Sequence, residues 1–324
     1  MFLSRKLRFW ENKKKGGKKM SFATNLKDEL CKDVPEQESA IHALLYGFLL
    51  FSHKFSSDEI SFAVVHEPTA RLFAEALATH CGISAKITFR ERARGTLYKV
   101  SIEKASERKK VLDAFYHAPK EPTLRINRAN IENEEDVPFF LRGAYLVCGS
   151  LTDPNKEYHL EFDVSYMNLC KDLSTLIGEV LSQPKSTIRR GAYIVYYKES
   201  ENIEDMITYI GAMMSSLEMM NIKIEKDIKN RVNRRMNCDS ANMDKTLNAS
   251  FQQVEDIKYI FEKKDKTFLS DELRQVAELR LENPEMSLRE LCESVEPPLS
   301  RSGINHRLKK ISEIANSLRN GSIE

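Results

Sequence analysis

Apolar residues recur along this chain at helix spacing and at strand spacing, and between residues 43 and 215 the same succession occurs twice. Ala43–Ser52 and Phe140–Ser150 are apolar helical stretches, each with a glycine in its middle, Gly47 and Gly143. After the first come a strand pattern at Ile60–Val65 and a helix at Glu67–Cys81. Two strands, Ala85–Arg90 and Thr96–Ile102, flank a turn at Arg94-Gly95, and a helix at Ser106–His117 closes the unit. After the second come a strand at Tyr158–Asp163 and a helix at Tyr166–Leu181. Strands Lys185–Arg190 and Ala192–Tyr197 then meet at Gly191, and a helix at Ile203–Ser215 closes that unit. The helices carry apolar stripes of the right period, Leu72, Phe73, Ala76 and Leu77 in one and Leu169, Leu173, Leu176, Ile177 and Val180 in the other. A glycine inside a helix costs roughly 1 kcal/mol relative to alanine. Taken alone, Gly47 and Gly143 fit either close approach of two helix backbones or two independent buried helices. The repeated order of elements favours close approach.

The last third has a different rhythm. A helix starts at Ser270-Asp271, buries Leu273, Val276, Ala277 and Leu281, and ends at Asn283-Pro284. Ser287 and Glu290 have capping-box spacing ahead of a second helix burying Leu288, Leu291, Cys292 and Val295. Pro297-Pro298 stops it. Ser300 caps a third helix whose Ile304, Leu308 and Ile311 recur at i, i+4 and i+7. Three helices with a tight break before the last fit a helix-turn-helix. Between the two patterns, residues 223–246 hold the cluster Arg231, Arg234 and Arg235, then an Asn/Asp/Ser-rich run that predicts caps and turns. A further helix is expected from about Gln252 to Lys264. Such a cluster is either a solvated linker face or a phosphate contact.

Charge sharpens this picture. The formal net charge is +2, but residues 1–19 carry eight basic side chains against Glu11 alone, so the rest of the chain is net acidic. Residues 1–19 read as a disordered basic tail, an extension from an upstream start or a dispensable arm, with a DNA-contacting arm as the lesser alternative. Nucleic-acid binding therefore needs a local patch. One is present: Leu299–Ile311 contains Arg301, Arg307, Lys309 and Lys310 and no acid, whereas the two preceding helices carry Asp271, Glu272, Glu278, Glu282, Glu290 and Glu293. At the start of the third helix Ser300, Arg301, Ser302 and Asn305 are placed to read base edges, since Arg pairs with guanine and Asn with adenine. Arg307, Lys309 and Lys310 suit phosphates, with His306 in support. The alternative is a protein-interaction module with a basic face.

Other chemistry is not indicated. The six cysteines are scattered without Cys-x-x-Cys spacing, so neither a zinc site nor a favoured nucleophile is expected. No metal, cofactor or catalytic residue is expected. The longest apolar run, Ala43–Phe51, is far short of the roughly 20 residues of a membrane span. A cytoplasmic, nucleoid-associated location without membrane contact is the expectation.

The duplicated glycine-helix unit over residues 38–215 resembles the LAGLIDADG homing-endonuclease fold. That resemblance implies two motif helices packed on a pseudo-two-fold axis, each followed by sheet elements of a saddle. Catalytic members end each motif helix in a metal-holding acid. Alignment on Gly47 and Gly143 puts Ser52 and Cys148 at those positions, and neither supplies the carboxylate a hard divalent ion needs. Asp58 and Asp153 lie further on in loop patterns. The string Leu-Arg-Gly-Ala-Tyr-Leu-Val-Cys-Gly-Ser-Leu-Thr-Asp-Pro at 141–154, then Tyr-His-Leu-Glu-Phe at 158–162, resembles the WhiA family of bacterial sporulation and cell-division proteins. So do the arginine-rich linker and the final Ser-Arg-Ser-Gly-Ile-Asn-His-Arg-Leu-Lys-Lys. His159 and Glu161 share a strand face and read as structural or surface polar groups.

The expected class is α+β: a duplicated LAGLIDADG-like domain of two pseudo-symmetric repeats plus an all-α helix-turn-helix. The expected parts are a basic extension at 1–19, a lead-in at 20–37, repeats at 38–120 and 121–217, linker helices at 218–266 and the helix-turn-helix at 267–318. The resemblance implies a non-enzymatic protein that binds double-stranded DNA in transcriptional regulation, cell division and chromosome segregation. A division factor that binds DNA weakly and acts through another regulator or division protein on the saddle is the alternative. A metal-dependent nuclease is disfavoured by Ser52 and Cys148.

Overall fold

The computed structural model describes residues 21–93, 95–118 and 123–321. The basic tail of residues 1–19 and Arg94 of the first hairpin turn lie outside them. The chain forms two compact units, one closing at Glu225 and the other opening at Lys226.

The first unit holds helices α1 (Phe22–Lys32), α2 (Glu38–Leu50), α3 (Glu67–Cys81), α4 (Ala105–Ala114), α5 (Val137–Cys148), α6 (Met167–Val180) and α7 (Ser200–Tyr209), and the first turns of α8 (Met213–Lys263). Strands β1 (Lys54–Phe55), β2 (Ile60–Val64), β3 (Lys86–Arg92) and β4 (Gly95–Ser101) make one antiparallel sheet in the order β1-β2-β4-β3. Strands β5 (Gly149–Leu151), β6 (Leu160–Val164), β7 (Lys185–Arg189) and β8 (Ala192–Tyr197) make a second in the corresponding order, β5-β6-β8-β7. Equivalent positions sit in equivalent register: Ser61 faces Ser101, and Glu161 faces Tyr196. The two αβ repeats expected from the sequence are therefore present.

Glycine is what lets the repeats meet. A Cβ built on Gly47 would overlap the carbonyl oxygen of Phe140, and one built on Gly143 would overlap that of Leu44 and stand 3.2 Å from the Gly47 Cα. The axes of α2 and α5 thus pass backbone against backbone. Around this seam Leu44, Phe48, Phe140 and Tyr145 are buried. The Phe73 ring of α3 lies 5.4 Å from that of Phe48 and 4.9 Å from that of Phe62, holding helix, sheet and seam together.

Several expectations need correction. Each sheet has four strands, because the short β1 and β5 follow directly on α2 and α5. Residues 149 and 150, read above as the end of a helix, belong to β5. Helix α1 was not foreseen in the lead-in; it buries Phe22, Leu26 and Leu30. The helix expected at Ile203–Ser215 stops at Tyr209. Gly211 has φ +99°, and a Cβ there would collide with the buried guanidinium of Arg142, whose Nε donates to Ile210 O at 2.7 Å. Glu29 of α1 then caps α8, accepting from the backbone N–H groups of Met214 at 2.6 Å and Ser215 at 2.9 Å. The expected turns around Asn237–Asn242 and the separate helix at 252–264 are absent: α8 runs unbroken through both. The Asn, Asp and Ser side chains there point to solvent instead of capping helix ends.

The second unit packs the end of α8 with α9 (Asp271–Glu282), α10 (Leu288–Ser294) and α11 (Arg301–Arg319). Its core is Ile257 and Ile260 of α8, Leu273, Val276 and Ala277 of α9, Leu291 and Cys292 of α10, and Ile304, Leu308, Ile311 and Ala315 of α11. Val295 is buried just beyond α10, and α11 is longer than a short recognition helix requires. Among the described residues no helix is long and apolar enough to cross a membrane.

Candidate nucleic-acid interface

Helix α11 is oriented by its buried stripe. Ile304, Leu308, Ile311 and Ala315 face the core, so at about 100° per residue the opposite face carries Ser302, Asn305, His306, Lys309 and Lys310, all exposed. Arg301 is exposed on the first turn. Ser300 caps the helix, its Oγ accepting from the Gly303 N–H at 3.2 Å and lying 3.0 Å from the Ser302 hydroxyl. The capped start leaves the positive end of the helix at the surface beside Arg301.

Arg307 behaves differently from its neighbours. It sits on the flank of α11 and donates to the Glu272 carboxylate of α9 at 2.9 Å, with its side chain only 20% exposed. It is a strut between α9 and α11 as well as a charge. Lys309 lies 3.8 Å from Glu313, an exposed pair of small energetic worth. Among the described residues Arg301 and Lys310 make no ion pair. The outward charge of α11 is therefore carried by Arg301, Lys309 and Lys310.

Two supports were missed at the sequence level. Arg280 is buried, and its Nη1 donates to Met286 O at 2.6 Å, pinning the loop between α9 and α10. It takes the core position assigned to Leu281, which is only half-buried. Its spacing from Leu273, Val276 and Ala277 already put residue 280 on the stripe, but its charge argued against burial. Asp256, also buried, accepts from Arg319 at 2.7 Å and from Gln252 at 3.0 Å, tying the end of α11 to α8.

Arg231, Arg234 and Arg235 lie exposed on α8, with Arg235 4.0 Å from Asp239. They project from a helix, not from a turn-rich linker.

In the first unit, Ser52 and Cys148 stand where α2 and α5 end. The Ser52 Oγ is buried, 2.6 Å from Leu49 O and 3.1 Å from Lys54 O, so it is occupied by backbone. Burial pushes the Cys148 thiol well up, away from ionisation. The Lys27 ammonium, lowered by its own desolvation, donates to Leu146 O at 3.3 Å near the same helix end. Neither motif-helix end offers a carboxylate. On the open face of the second sheet, His159 Nε2 lies 2.8 Å from Glu161, and Arg189 donates to Glu161 at 2.7 Å. Burial alone would raise the Glu161 pKa, but Arg189 and His159 together hold it below the usual carboxylate range. These residues form a hydrogen-bonded polar cluster. Among the described residues no three His, Cys, Asp or Glu side chains are grouped to share a metal ion.

A family model described as the WhiA LAGLIDADG-like domain matches residues 137–229, and one described as the WhiA C-terminal HTH domain matches residues 232–315. A protein of Clostridium perfringens strain 13 named as a probable cell division protein WhiA is 36% identical over 315 residues, covering 94% of this chain and 100% of that protein. Its namesake in Clostridium botulinum strain Hall is 37% identical over 318 residues, covering 93% and 100%. The crystal structure of full-length WhiA from Thermotoga maritima shares the fold with a TM-score of 0.55 at 23% identity, covering 92% of this chain and 98% of that one.

Proposed function

The chain belongs to the WhiA family, and on that premise we propose that it binds double-stranded DNA through α11 and works without enzymatic activity in cell division. The observation that carries the proposal is the outward face of α11. Ser302, Asn305, His306, Lys309 and Lys310 are exposed there, away from a fully buried stripe, and Arg301 is exposed at the capped helix start. In this reading Ser300, Arg301, Ser302 and Asn305 read base edges, and Lys309 and Lys310, with Arg307 at the flank, contact phosphates. Arg231, Arg234 and Arg235 add phosphate contacts from α8. Transcriptional regulation and chromosome segregation are the processes this DNA binding serves, at the nucleoid in the cytoplasm. The saddle acts as scaffold and as the platform for any protein partner. What supports the absence of nuclease chemistry is the pair Ser52 and Cys148, a backbone-bonded hydroxyl and an un-ionised thiol where metal-holding acids would be needed.

The test is a titration of the full chain with a mixed-sequence DNA duplex and with genomic fragments selected by the protein itself, at two salt concentrations. Arg301→Ala with Asn305→Ala is expected to weaken binding to selected fragments at least tenfold while leaving mixed-sequence binding much less affected. Lys309→Ala with Lys310→Ala is expected to weaken both and flatten the salt dependence. Unchanged binding in both variants would move the DNA contact away from α11. Magnesium-dependent strand cleavage would overturn the non-enzymatic reading.

A further inference from the structure

The middle of α8 is unlike any other α-helix among the described residues: every residue from Asp227 to Ala249 is exposed. Helices of this protein otherwise owe their stability to a buried stripe, as α11 does. Here no stripe is buried, and the composition is poor for a helix standing alone, with Asn230, Asn233, Asn237, Asn242 and Asn248 in the same stretch. By ordinary helix–coil physics this stretch opens easily on its own.

Its charge is nevertheless sorted by face. At about 100° per residue, Arg231, Arg234, Arg235, Cys238, Asn242 and Lys245 fall within one arc of roughly 100°; between residues 231 and 245 no acidic residue shares it, and Asp227 lies on it one turn earlier. Val232, Met236, Met243 and Leu247 gather on another side, and Asn230, Asn237 and Asn248 on a third. A solvated linker has no need to line its cations up over four turns. A helix laid along a phosphate backbone does.

We propose that this segment of α8 is a second DNA-binding element that becomes a stable helix only on the duplex, with Arg231, Arg234, Arg235 and Lys245 contacting phosphates. The inference rests on the reading that the protein binds DNA through α11, and it adds a folding step to that binding. Phosphate contact supplies the favourable term that burial supplies elsewhere, and the apparent affinity is reduced by the fraction of chains in which the segment is not yet helical.

This coupling gives substitutions of opposite sign on one helix. Arg231→Ala with Arg234→Ala removes phosphate contacts; it should weaken binding to a mixed-sequence duplex and lower the log–log salt slope by roughly one to two. Asn230→Ala, Asn237→Ala and Asn248→Ala together leave the basic arc untouched and favour the helix. They should tighten binding on the order of threefold to thirtyfold. Hydrogen exchange of the full chain, with and without the mixed-sequence duplex, reads the ordering directly. Amides of residues 229–248 should exchange rapidly alone and gain protection on DNA, while those of α9 to α11 stay protected throughout.

If the wild type binds DNA but these amides are unaffected, or the three Asn variants leave affinity unchanged, α8 is a passive connector and the inference fails while the α11 reading stands. Protection that is present without DNA and grows with protein concentration would mean that the apolar face pairs with a second copy, which also overturns it. If the wild type binds no DNA at all, the α11 reading falls and takes this inference with it.

Discussion

A single methyl group tests the seam between the repeats. Alanine at Gly47 or Gly143 places a Cβ on a backbone carbonyl of the facing helix, where no side chain can rotate away. The helices must separate, and overpacking of this kind costs roughly 1–3 kcal/mol or more. Gly47→Ala and Gly143→Ala are each expected to lower the urea midpoint of the first unit. A loss below about 0.5 kcal/mol would mean that the backbones do not meet there. A second test at this scale is acid sensitivity. His80 Nε2 lies 2.9 Å from His42 Nδ1, and the other His42 nitrogen meets Asn130 at 3.0 Å. Burial, and then the neighbouring His42, hold the His80 pKa below its ordinary 6.5, with Glu38 opposing. The neutral ring is thus favoured in the folded state. Its contribution is intact above about pH 6.5 and is lost as pH falls from there through the lower folded pKa. His80→Gln should flatten the decline in stability between neutral and mildly acidic pH, which denaturant titrations at several pH values would show. The glycines were legible in the sequence because the same order of elements follows each of them, which decided between two readings that their cost inside a helix left open. Arg280 was not, because a charged side chain is buried only when particular carbonyls await it, here those of Pro284 and Met286 in the loop that follows, and no periodic pattern announces those.

Elements with strong local signals were legible to within a few residues. Helix α3 spans Glu67–Cys81 as its periodicity predicts, and α10 begins at the Ser287–Glu290 box, whose two reciprocal bonds form at 3.3 Å and 2.7 Å. The strands β1 and β5 were not, since two or three residues carry no period and their pairing is decided by β2 and β6. Helix α8 shows the opposite failure: its Asn- and Asp-rich middle resembles a turn, yet nothing in it forbids helix, having neither proline nor glycine. The capping box offers a clean measurement. Ser287→Ala removes the hydroxyl that accepts from the Glu290 backbone N–H and should destabilise the second unit by about 1 kcal/mol. Followed by the thermal midpoint of that unit, a shift confined to it is expected, with DNA affinity falling only as the folded fraction falls.

At the scale of the whole molecule, two hydrophobic clusters share no residue: one surrounds α2 and α5, the other α9 to α11. Each buries its own aromatic or aliphatic centre, so each has the means to fold as a unit. The exposed middle of α8 lies between their contributions along the sequence and carries Lys229, Arg231, Arg234, Arg235 and Lys245. Trypsin cleaves where backbone opens locally, and an unburied helix opens at far lower cost than either core. Brief digestion should therefore cut first at these sites and leave two resistant products, one ending near residue 229 and one beginning near residue 246. Mass spectrometry would place the cuts, and circular dichroism of the separated products would show whether each keeps a cooperative transition. First cuts in α3 or α9 would mean that a core opens before the helix does. The same digestion with duplex DNA present separates a connector from a binding element: a passive helix is cut at the same rate, whereas one ordered on phosphates is spared until the DNA is competed away with salt.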